Sequence, residues 1–192
     1  MLRLMRESGG ALAKLLVSLL LIGVVASAAL YVYATRQRPL RLGRAVPAPA
    51  NASDDSSVTV DADGTLRVAT VVRNDGRLPV TLEGLGDQPA GPLVATSLGL
   101  GDGHDATTAA AFTPTALTPG TGLGIVVVFT LDATACAGLG DDPTIAIAFP
   151  AVTLRFSSYG VAATDAVRPE DAPAVIGLTR DVCAGAAAQH KP

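Results

Sequence analysis

The feature that most limits how this chain can fold is an uncharged apolar run near its N-terminus. Leu15 to Tyr33 (LLVSLLLIGVVASAALYVY) are 19 consecutive residues without a charge. At about 1.5 Å per residue, a helix of this length approaches the roughly 30 Å thickness of a bilayer's hydrocarbon core. Tyr31 and Tyr33 occupy the position of an interfacial aromatic belt. The run predicts a transmembrane helix over residues 11–34, preceded by a short tail at residues 1–10.

A cleaved signal peptide is the alternative interpretation of the same segment. Ala26, Ser27 and Ala28 form a small-residue cleavage pattern after an apolar run. Apolar residues continue from Ala29 to Tyr33, which favours an uncleaved signal anchor. The flanking charges do not decide the orientation, because three basic residues precede the run and four follow it before residue 45. The short tail and the two cysteines of the following domain favour a single-pass protein of the cell membrane whose C-terminal domain is extracytoplasmic.

Charge is divided unequally along the chain. Residues 1–44 contain seven of the 14 Lys and Arg and one of the 17 Asp and Glu, a net charge of +6. The remaining residues carry seven bases against 16 acids, a net charge of −9. Binding to nucleic acid requires clustered bases that release counterions from the phosphates, so the acidic part is a poor partner for it. The basic part borders the apolar run and favours contact with a membrane surface.

Composition divides the rest of the chain into three parts. Residues 35–56 begin as a basic juxtamembrane segment and continue as a Pro- and Ala-rich stretch that is typical of a linker. Residues 57–183 contain recurrent β-prone runs and predict a single folded domain. Residues 184–192 show no such pattern and predict a disordered tail.

Short apolar or alternating runs predict an all-β domain of about seven or eight strands in two packed sheets. Ile125–Leu131 is a continuous β-branched run and is expected at the centre of a sheet. The first three runs are expected to form a meander through turns at Asp61–Gly64 and Asp75–Gly76. Ala106–Ala111 is expected to form a helical turn. The predicted strands are Ser57–Val60, Leu66–Val72, Leu78–Leu82, Ile125–Leu131, Thr144–Phe149, Val152–Phe156 and Ala174–Leu178.

Two sets of residues resemble known proteins. Val72–Leu82 (VRNDGRLPVTL) and Leu117–Gly120 (LTPG), followed by the strand at Ile125, resemble bacterial immunoglobulin-like β-sandwich domains. The apolar segment, Arg38–Gly43 (RPLRLG) and the two late cysteines are similar to small membrane-anchored actinobacterial proteins of unknown function that carry such a domain outside the cytoplasm. The resemblance implies an immunoglobulin-like β-sandwich preceded by one transmembrane helix, and it carries no active site.

Cys136 and Cys183 are the only cysteines of the chain, and both lie in the predicted outer domain. They predict a disulfide, which would stabilise the fold by about 4 kcal/mol through the entropy of the closed loop. Two reduced thiols are the alternative if the domain faces the cytoplasm. A structural zinc site needs four ligands, and only one His lies outside the C-terminal tail, which disfavours such a site.

His104 is the residue on which an alternative function would depend. It lies between Asp102 and Asp105 in a Gly-rich stretch, Gly101–Asp105, and could supply one corner of a metal site. Such short polar runs are more typical of solvated turns. No phosphate-binding loop or nucleophile motif accompanies it in the sequence. We therefore expect no enzymatic activity and no cofactor, with a small metal-binding or enzymatic envelope protein that uses His104 and nearby carboxylates as the alternative.

The function that these features predict is a non-catalytic protein-interaction or accessory module of the cell envelope. The expected partners are the membrane, through the helix, and an envelope protein, with no small-molecule substrate indicated. Contact is expected through sheet edges or through the loops Gly99–Thr108 and Leu139–Thr144.

Overall fold

An N-terminal apolar helix precedes a β domain in the computed structural model, which describes residues 2–54, 57–136 and 138–189. Helix α1 (Leu2–Arg36) contains an apolar span, Lys14–Tyr33, of 20 residues with a mean hydropathy of 2.6, none of it buried. Because α1 begins at Leu2, residues 2–10 of the predicted short tail are helical and continue into the apolar span that begins at Lys14. The Leu, Arg and Met residues there favour helix, and glycines 9 and 10 cost only about 1 kcal/mol each.

The second compact unit begins at Arg38 and contains fourteen strands and two short helices among its described residues. The strands are β1 (Leu40–Arg44), β2 (Val46–Pro47), β3 (Ala52–Asp54), β4 (Ser57–Val58), β5 (Thr65–Asn74), β6 (Val80–Leu85), β7 (Leu93–Leu100), β8 (Ala110–Ala111), β9 (Thr115–Leu117), β10 (Gly122–Leu131), β11 (Val152–Ser158), β12 (Val161–Val167), β13 (Pro169–Glu170) and β14 (Ala174–Val175). The helices are α2 (Ala133–Cys136) and α3 (Arg180–Gln189).

Two large sheets form the domain. The seven-stranded sheet has the order β13-β1-β5-β10-β7-β8, with β2 also paired to β5. The four-stranded sheet has the order β12-β11-β6-β9. A three-stranded sheet, β14-β4-β3, is hydrogen-bonded to neither, although Val58 and Val175 from it belong to the main core. The strands β1, β5, β10 and β7 follow the A-B-E-D order of an immunoglobulin fold, and β12, β11 and β6 follow its G-F-C order. The predicted immunoglobulin-like β-sandwich is therefore confirmed.

The main hydrophobic core lies between the two large sheets. Fully buried Leu66 and Phe129 come from the seven-stranded sheet, and Leu82 and Phe156 come from the four-stranded sheet. Phe149 packs edge to face on Phe129, with ring centroids 5.2 Å apart. Each such side chain stabilises the fold by roughly 1.5–3 kcal/mol through burial, so the few aromatic residues are concentrated where they contribute most.

A second, smaller apolar cluster covers the outer face of the seven-stranded sheet. The strand β10 runs antiparallel to β5 so that Val126 lies opposite Ala69 on this face. Both side chains are buried under Ala48 and Ala106, which belong to two flanking loops. The strands β5 and β10 are thus buried on both faces along their middle, which explains the continuous apolar run of β10. Its predicted central position is confirmed, because β5 and β7 flank it.

The segment predicted as a linker, residues 35–56, is largely part of the sandwich. Leu40 and Leu42 are buried, whereas Arg41 between them is exposed, the alternation of a strand with one face in the core. The strand β1 pairs with the end of β5, Leu42 lying opposite Val72. Only residues 37–39 separate α1 from β1. The helix and the sandwich are therefore joined by a connection too short to act as a stalk.

The Pro- and Ala-rich part of the same segment is held by one side chain. Asn51 is fully buried, and its amide donates hydrogen bonds to Thr59 O, Asp61 Oδ1 and Thr65 O at 3.1, 2.8 and 3.2 Å. Its Oδ1 accepts a hydrogen bond from the backbone N–H of Arg67 at 3.0 Å. A buried amide with satisfied hydrogen bonds fixes the surrounding backbone. This network orders a stretch whose composition resembles that of a linker.

The meander predicted for the first three runs is also wrong. The strands β4, β5 and β6 lie in three different sheets. The chain crosses between sheets at Asn74, whose buried amide donates hydrogen bonds to Leu78 O and Leu117 O, each at 2.9 Å. Since β1 and β10 already occupy both edges of β5, β6 cannot pair with it. A local turn signal does not reveal that these edges are taken.

Three further predictions fail locally. Thr144–Phe149 is not a strand, and only Ile147 forms a bridge, with Val175. The helical turn expected at Ala106–Ala111 is instead a loop leading into β8, which pairs with β7. The predicted disordered tail is helical to residue 189, because α3 is rich in alanine and is fixed by Cys183. Residues 190–192 lie outside the described residues.

The assignment of β1 to the core leads to a test of stability. Leu42→Ala removes a side chain that is only 1% exposed, so it is expected to lower the free energy of unfolding by about 2–5 kcal/mol. The neighbouring exposed Arg41 makes an ion pair with Asp75 at 3.2 Å, and Arg41→Ala should cost less than about 1 kcal/mol. Urea unfolding of the full-length protein measures both values. Equal, small losses for the two variants would mean that residues 40–44 are a linker.

Candidate binding site

The loop between β7 and β8 lies flat against the outer face of the seven-stranded sheet. Gly103 has φ +82°, and a Cβ there would meet a Val71 methyl group and Thr70 O. A Cβ on Gly124 of β10 would overlap the backbone of the loop at Gly101. The close approach of the two backbones therefore requires glycine on both sides. It places His104 at the surface, next to the segment that contains β2.

The carboxylates beside His104 are engaged in holding this loop. Asp102 Oδ1 accepts hydrogen bonds from the backbone N–H groups of His104 and Asp105 at 2.7 and 2.8 Å. Asp105 Oδ1 accepts from the N–H and hydroxyl of Thr107 at 2.8 and 2.6 Å. These hydrogen bonds lower the pKa of both carboxyl groups. Within the described ranges, no three His, Cys, Asp or Glu residues are grouped so that they could hold a metal ion.

The loop that begins at Leu139 has a similar internal structure. Asp142 Oδ1 accepts hydrogen bonds from the N–H and hydroxyl of Thr144 at 2.9 and 2.6 Å, and this lowers the pKa of Asp142. The N–H of Gly177 donates to Pro143 O at 3.0 Å, which fastens the loop to the C-terminal part of the domain. Both loops named in the sequence prediction are thus ordered by Asp–Thr turns.

A groove of about 410 Å³ lies between the His104 loop and the β2 segment. We call it the His104 groove. Val46, Pro47 and Val71 give it an apolar lining, and Gly103 contributes backbone. Arg44 and His104, both exposed, add the only basic groups among the described residues that line it. The groove can therefore accept an apolar group next to a negative charge.

A second cavity of about 270 Å³ lies on the other side of the same segment, so that Arg44 to Pro47 line both. We call this cavity the Ser57 pocket. Its remaining lining residues are Ala52, Ser57, Val58, Asp171 and Pro173. Ser57 is only 6% exposed. Its Oγ has no hydrogen-bond partner among the residues that the structure describes. No sequence motif indicates this cavity, because its residues come from segments that are distant in the chain.

Cys136 and Cys183 form the disulfide that the sequence predicts, with their Cα atoms 6.0 Å apart. Both residues are buried, and the bond joins α2, which follows β10, to α3. It therefore closes the C-terminal part of the domain, and neither cysteine lines either cavity.

The sheet edges offer little to a partner strand. The strands β8 and β13 have two residues each and β9 has three. The longer edge strand β12 carries Asp165, which is buried at 3% exposure and accepts a hydrogen bond from the Leu40 N–H at 3.4 Å. An inward-pointing charge on an edge strand opposes pairing with another chain. Of the two predicted contact modes, the loops are therefore favoured over the edges.

Comparisons with known proteins add little to this geometry. No protein-family model matches the chain, and no curated protein matches it. Among solved structures, it is similar to an uncharacterized beta-sandwich protein from Clostridium difficile 630. The identity is 11%, the match covers 66% of this chain and 80% of that chain, and the TM-score is 0.23. A similarity at this TM-score carries no argument, so the fold assignment depends on the strand order.

Asp165 leads to a pH-dependent prediction. Burial raises the pKa of Asp165 above its usual 3.8, although the Leu40 N–H and the charge of Arg38 lower it in part. Folding thus favours the protonated form. The free-energy cost of burying the ionised carboxylate is absent well below pH 3.8 and grows as the pH rises through the folded pKa. Asp165→Asn keeps an acceptor for Leu40 and has no charge to bury, so it should be more stable than the parent protein at pH 7.

Urea midpoints at pH 7 and near pH 3 measure this difference, which should shrink towards zero at the lower pH. Asp87→Asn, at an exposed position, is the matched control and should change neither midpoint. A loss of stability at pH 7 in Asp165→Asn would show that the ionised carboxylate stabilises the fold.

Proposed function

We propose that this chain is a single-pass membrane protein that presents its β-sandwich outside the cytoplasm as a non-catalytic recognition or accessory module of the cell envelope. The His104 groove is the observation that carries the recognition role. The proposal has three parts: the anchor, the side of the membrane and the surface that binds a partner. It agrees with the resemblance to membrane-anchored actinobacterial proteins, which stays a prediction.

The anchor is supported by the length and composition of α1. Its apolar span of 20 residues corresponds to about 30 Å of helix, the thickness of a bilayer's hydrocarbon core. Leu20 and Ile22 within it are 71% and 65% exposed. Long apolar surfaces of this kind are stable only when lipid or another protein covers them. Cleavage after Ala28 is the competing interpretation.

The side of the membrane is supported by the disulfide. Disulfides persist in oxidising compartments and are rare in the cytosol, where thiol reductants keep cysteines reduced. The bond between Cys136 and Cys183 closes a loop with a sequence separation of 47 residues, which corresponds to about 4 kcal/mol of stabilisation. A small domain with few aromatic residues benefits from that contribution only where the bond survives.

The recognition surface is supported by the chemistry of the His104 groove. Its apolar lining from Val46, Pro47 and Val71 offers a place for an apolar side chain, and Arg44 at the rim offers a positive charge. The domain around it is acidic overall, so Arg44 is a local positive charge on a mostly negative domain. An envelope protein that presents an apolar residue beside an Asp or Glu fits this groove.

A non-catalytic role is supported by the use of the nearby acids. Asp102 accepts hydrogen bonds from backbone N–H groups, and Asp105 accepts one from the Thr107 hydroxyl. Both carboxylates therefore stabilise the conformation of the loop. A general base must reach a proton on a substrate or nucleophile, whereas these carboxylates are hydrogen-bonded to residues of their own loop. The groove therefore supports binding better than it supports the alternative role of His104 in catalysis or metal binding.

Site-specific photocrosslinking in native membranes tests the proposal. A photoreactive side chain at His104, in carbonate-washed membranes of the producing cell, should give one discrete crosslinked product. The same group at Tyr159, which is 65% exposed and does not line the groove, should not. Arg44→Glu should lower the yield of the product roughly five- to tenfold by reversing the charge at the rim. The exposed Arg73→Glu is the matched control and should leave it unchanged.

Each part of the proposal has an outcome that contradicts it. Extraction of the protein by carbonate, or a mature chain that starts at Ala29, would contradict the anchor. Alkylation of both cysteines without a reductant would contradict the extracytoplasmic side. Equal crosslinking from His104 and Tyr159 would contradict the groove. A stoichiometric metal that disappears in His104→Ala would favour the metal-binding alternative.

A further inference from the structure

Three segments that are far apart in the sequence meet at the end of the sandwich where β1 begins. The N–H of Asp75 donates a hydrogen bond to Pro39 O at 2.8 Å. The Ser158 hydroxyl donates to Pro79 O at 2.9 Å. These bonds bring together the start of β1, the turn between β5 and β6, and the hairpin between β11 and β12. We call this surface the entry end and define it as residues 38–41, 73–79 and 158–161.

The entry end is basic, whereas the domain to which it belongs is acidic. Residues 38–192 contain ten Lys and Arg against 16 Asp and Glu, a net charge of −6. Within the entry end the only acid is Asp75, and the net charge is +3. The bases of this surface are all exposed arginines: Arg38, Arg41, Arg73 and Arg77. An anionic partner is therefore attracted to this end and repelled by most of the remaining surface.

Two of these arginines lie directly opposite each other. Arg41 of β1 and Arg73 of β5 are paired residues of the antiparallel ladder. Like charges at such positions repel each other and destabilise the pairing of the strands. The ion pairs among the described residues are Arg41–Asp75 and Arg155–Glu83, so Arg73 has no carboxylate partner there. An anionic surface next to the entry end would reduce a repulsion that the fold leaves in place.

Tyr159 adds an exposed aromatic side chain to the entry end. The hairpin between β11 and β12 turns at Tyr159 and Gly160, which have φ +49° and +79°. Two positive φ angles are typical of a type I′ turn, where Asn-Gly is preferred and a bulky side chain is strained. Tyr159 is 65% exposed, so packing within the domain does not account for an aromatic residue here. Tyrosine is enriched where its ring meets lipid and its hydroxyl meets water.

The length of the connecting chain indicates which anionic partner lies nearest. Helix α1 ends at Arg36 and β1 begins at Leu40, so residues 37–39 connect them. Three extended residues span at most about 10 Å, which is about the Debye length at 0.1 M salt. With α1 as the membrane anchor, a step that rests on the proposed function, the entry end is the part of the domain that the chain holds nearest to the lipid headgroups.

We propose that the entry end docks on anionic phospholipid headgroups of the bilayer that holds α1, with its arginines on the phosphates and Tyr159 at the lipid–water interface. A guanidinium binds a phosphate through two parallel hydrogen bonds. Each base close to an anionic membrane surface strengthens binding roughly fivefold. A bilayer is a continuous partner, so it requires charges gathered at one end of the domain and no shaped pocket. Docking gives the sandwich one orientation on the membrane.

Photocrosslinking to lipid tests the assignment in the full-length protein reconstituted into nanodiscs. With a photoreactive side chain in place of Tyr159, intact mass measures the fraction of protein that becomes attached to lipid. The yield should be at least about fivefold higher in phosphatidylglycerol discs than in phosphatidylcholine discs, and it should fall as salt is raised. The same group at Asp141, which is exposed and lies outside the entry end, should attach little lipid in either disc.

Charge reversal tests the role of the arginines. Arg38→Glu combined with Arg77→Glu should lower the yield from position 159 in phosphatidylglycerol at least about tenfold. Arg67→Glu combined with Arg180→Glu makes the same change of charge at exposed positions outside the entry end and should leave the yield unchanged. Position 67 lies six residues before Arg73 on β5, about 20 Å along the strand.

Tyr159→Asn separates a role at the membrane from a role in the fold. Because Asn is favoured in a type I′ turn, the melting temperature of this variant in detergent micelles should equal or exceed that of the parent protein. With the photoreactive group moved to the exposed Pro79, Tyr159→Asn should lower the lipid yield several-fold. A lower melting temperature with an unchanged yield would overturn the interfacial role of Tyr159.

The outcomes for docking and for the anchor can be told apart. Equal yields in the two lipids, or equal lipid attachment from positions 141 and 159, would overturn docking and leave the anchor intact. A full-length chain that does not enter the discs would contradict the anchor, and docking with it. Loss of the His104 crosslink with lipid attachment intact would count against the recognition groove alone.

Discussion

The strand β5 is the constraint on which the rest of the domain depends. Its backbone is hydrogen-bonded to β1 and β2 along one edge and to β10 along the other. Its middle residues are buried on both faces, with Val68 in the main core and Ala69 under the outer loops. A strand enclosed on all sides cannot take another partner, so the chain that follows must cross to the second sheet. The buried amide of Asn74 fixes that crossing.

Covering the outer face of the sheet also creates the two cavities. The segments that supply Ala48 and Ala106 must lie close to β5 and β10, and Gly103 and Gly124 allow this approach. Because these segments are irregular and Asn51 holds one of them in place, they leave recesses on both sides of β2. The proposed binding surface is therefore a consequence of how the sandwich buries its central strands.

The sequence was sufficient where the signal was local and insufficient where it depended on distant pairing. The apolar helix, the central strand β10 and the fold class could be predicted from runs of residue types. The strand β1 could not be predicted in this way, because two leucines among arginines are equally typical of a juxtamembrane segment. Only the pairing with β5 identifies this segment as a strand. The Ser57 pocket could not be predicted either. Arg44, Ser57 and Asp171 line one cavity only because parallel strand pairings bring together segments that are far apart in the chain.

The central claim is that the chain enters the sandwich immediately after the helix, through β1. Hydrogen–deuterium exchange of the full-length protein in micelles measures this directly. We expect the backbone N–H groups of residues 40–44 to exchange slowly, with protection comparable to that of β10, because they belong to the same cooperative sheet. Exchange of residues 40–54 at the rate of an unstructured chain, with β10 still protected, would contradict it.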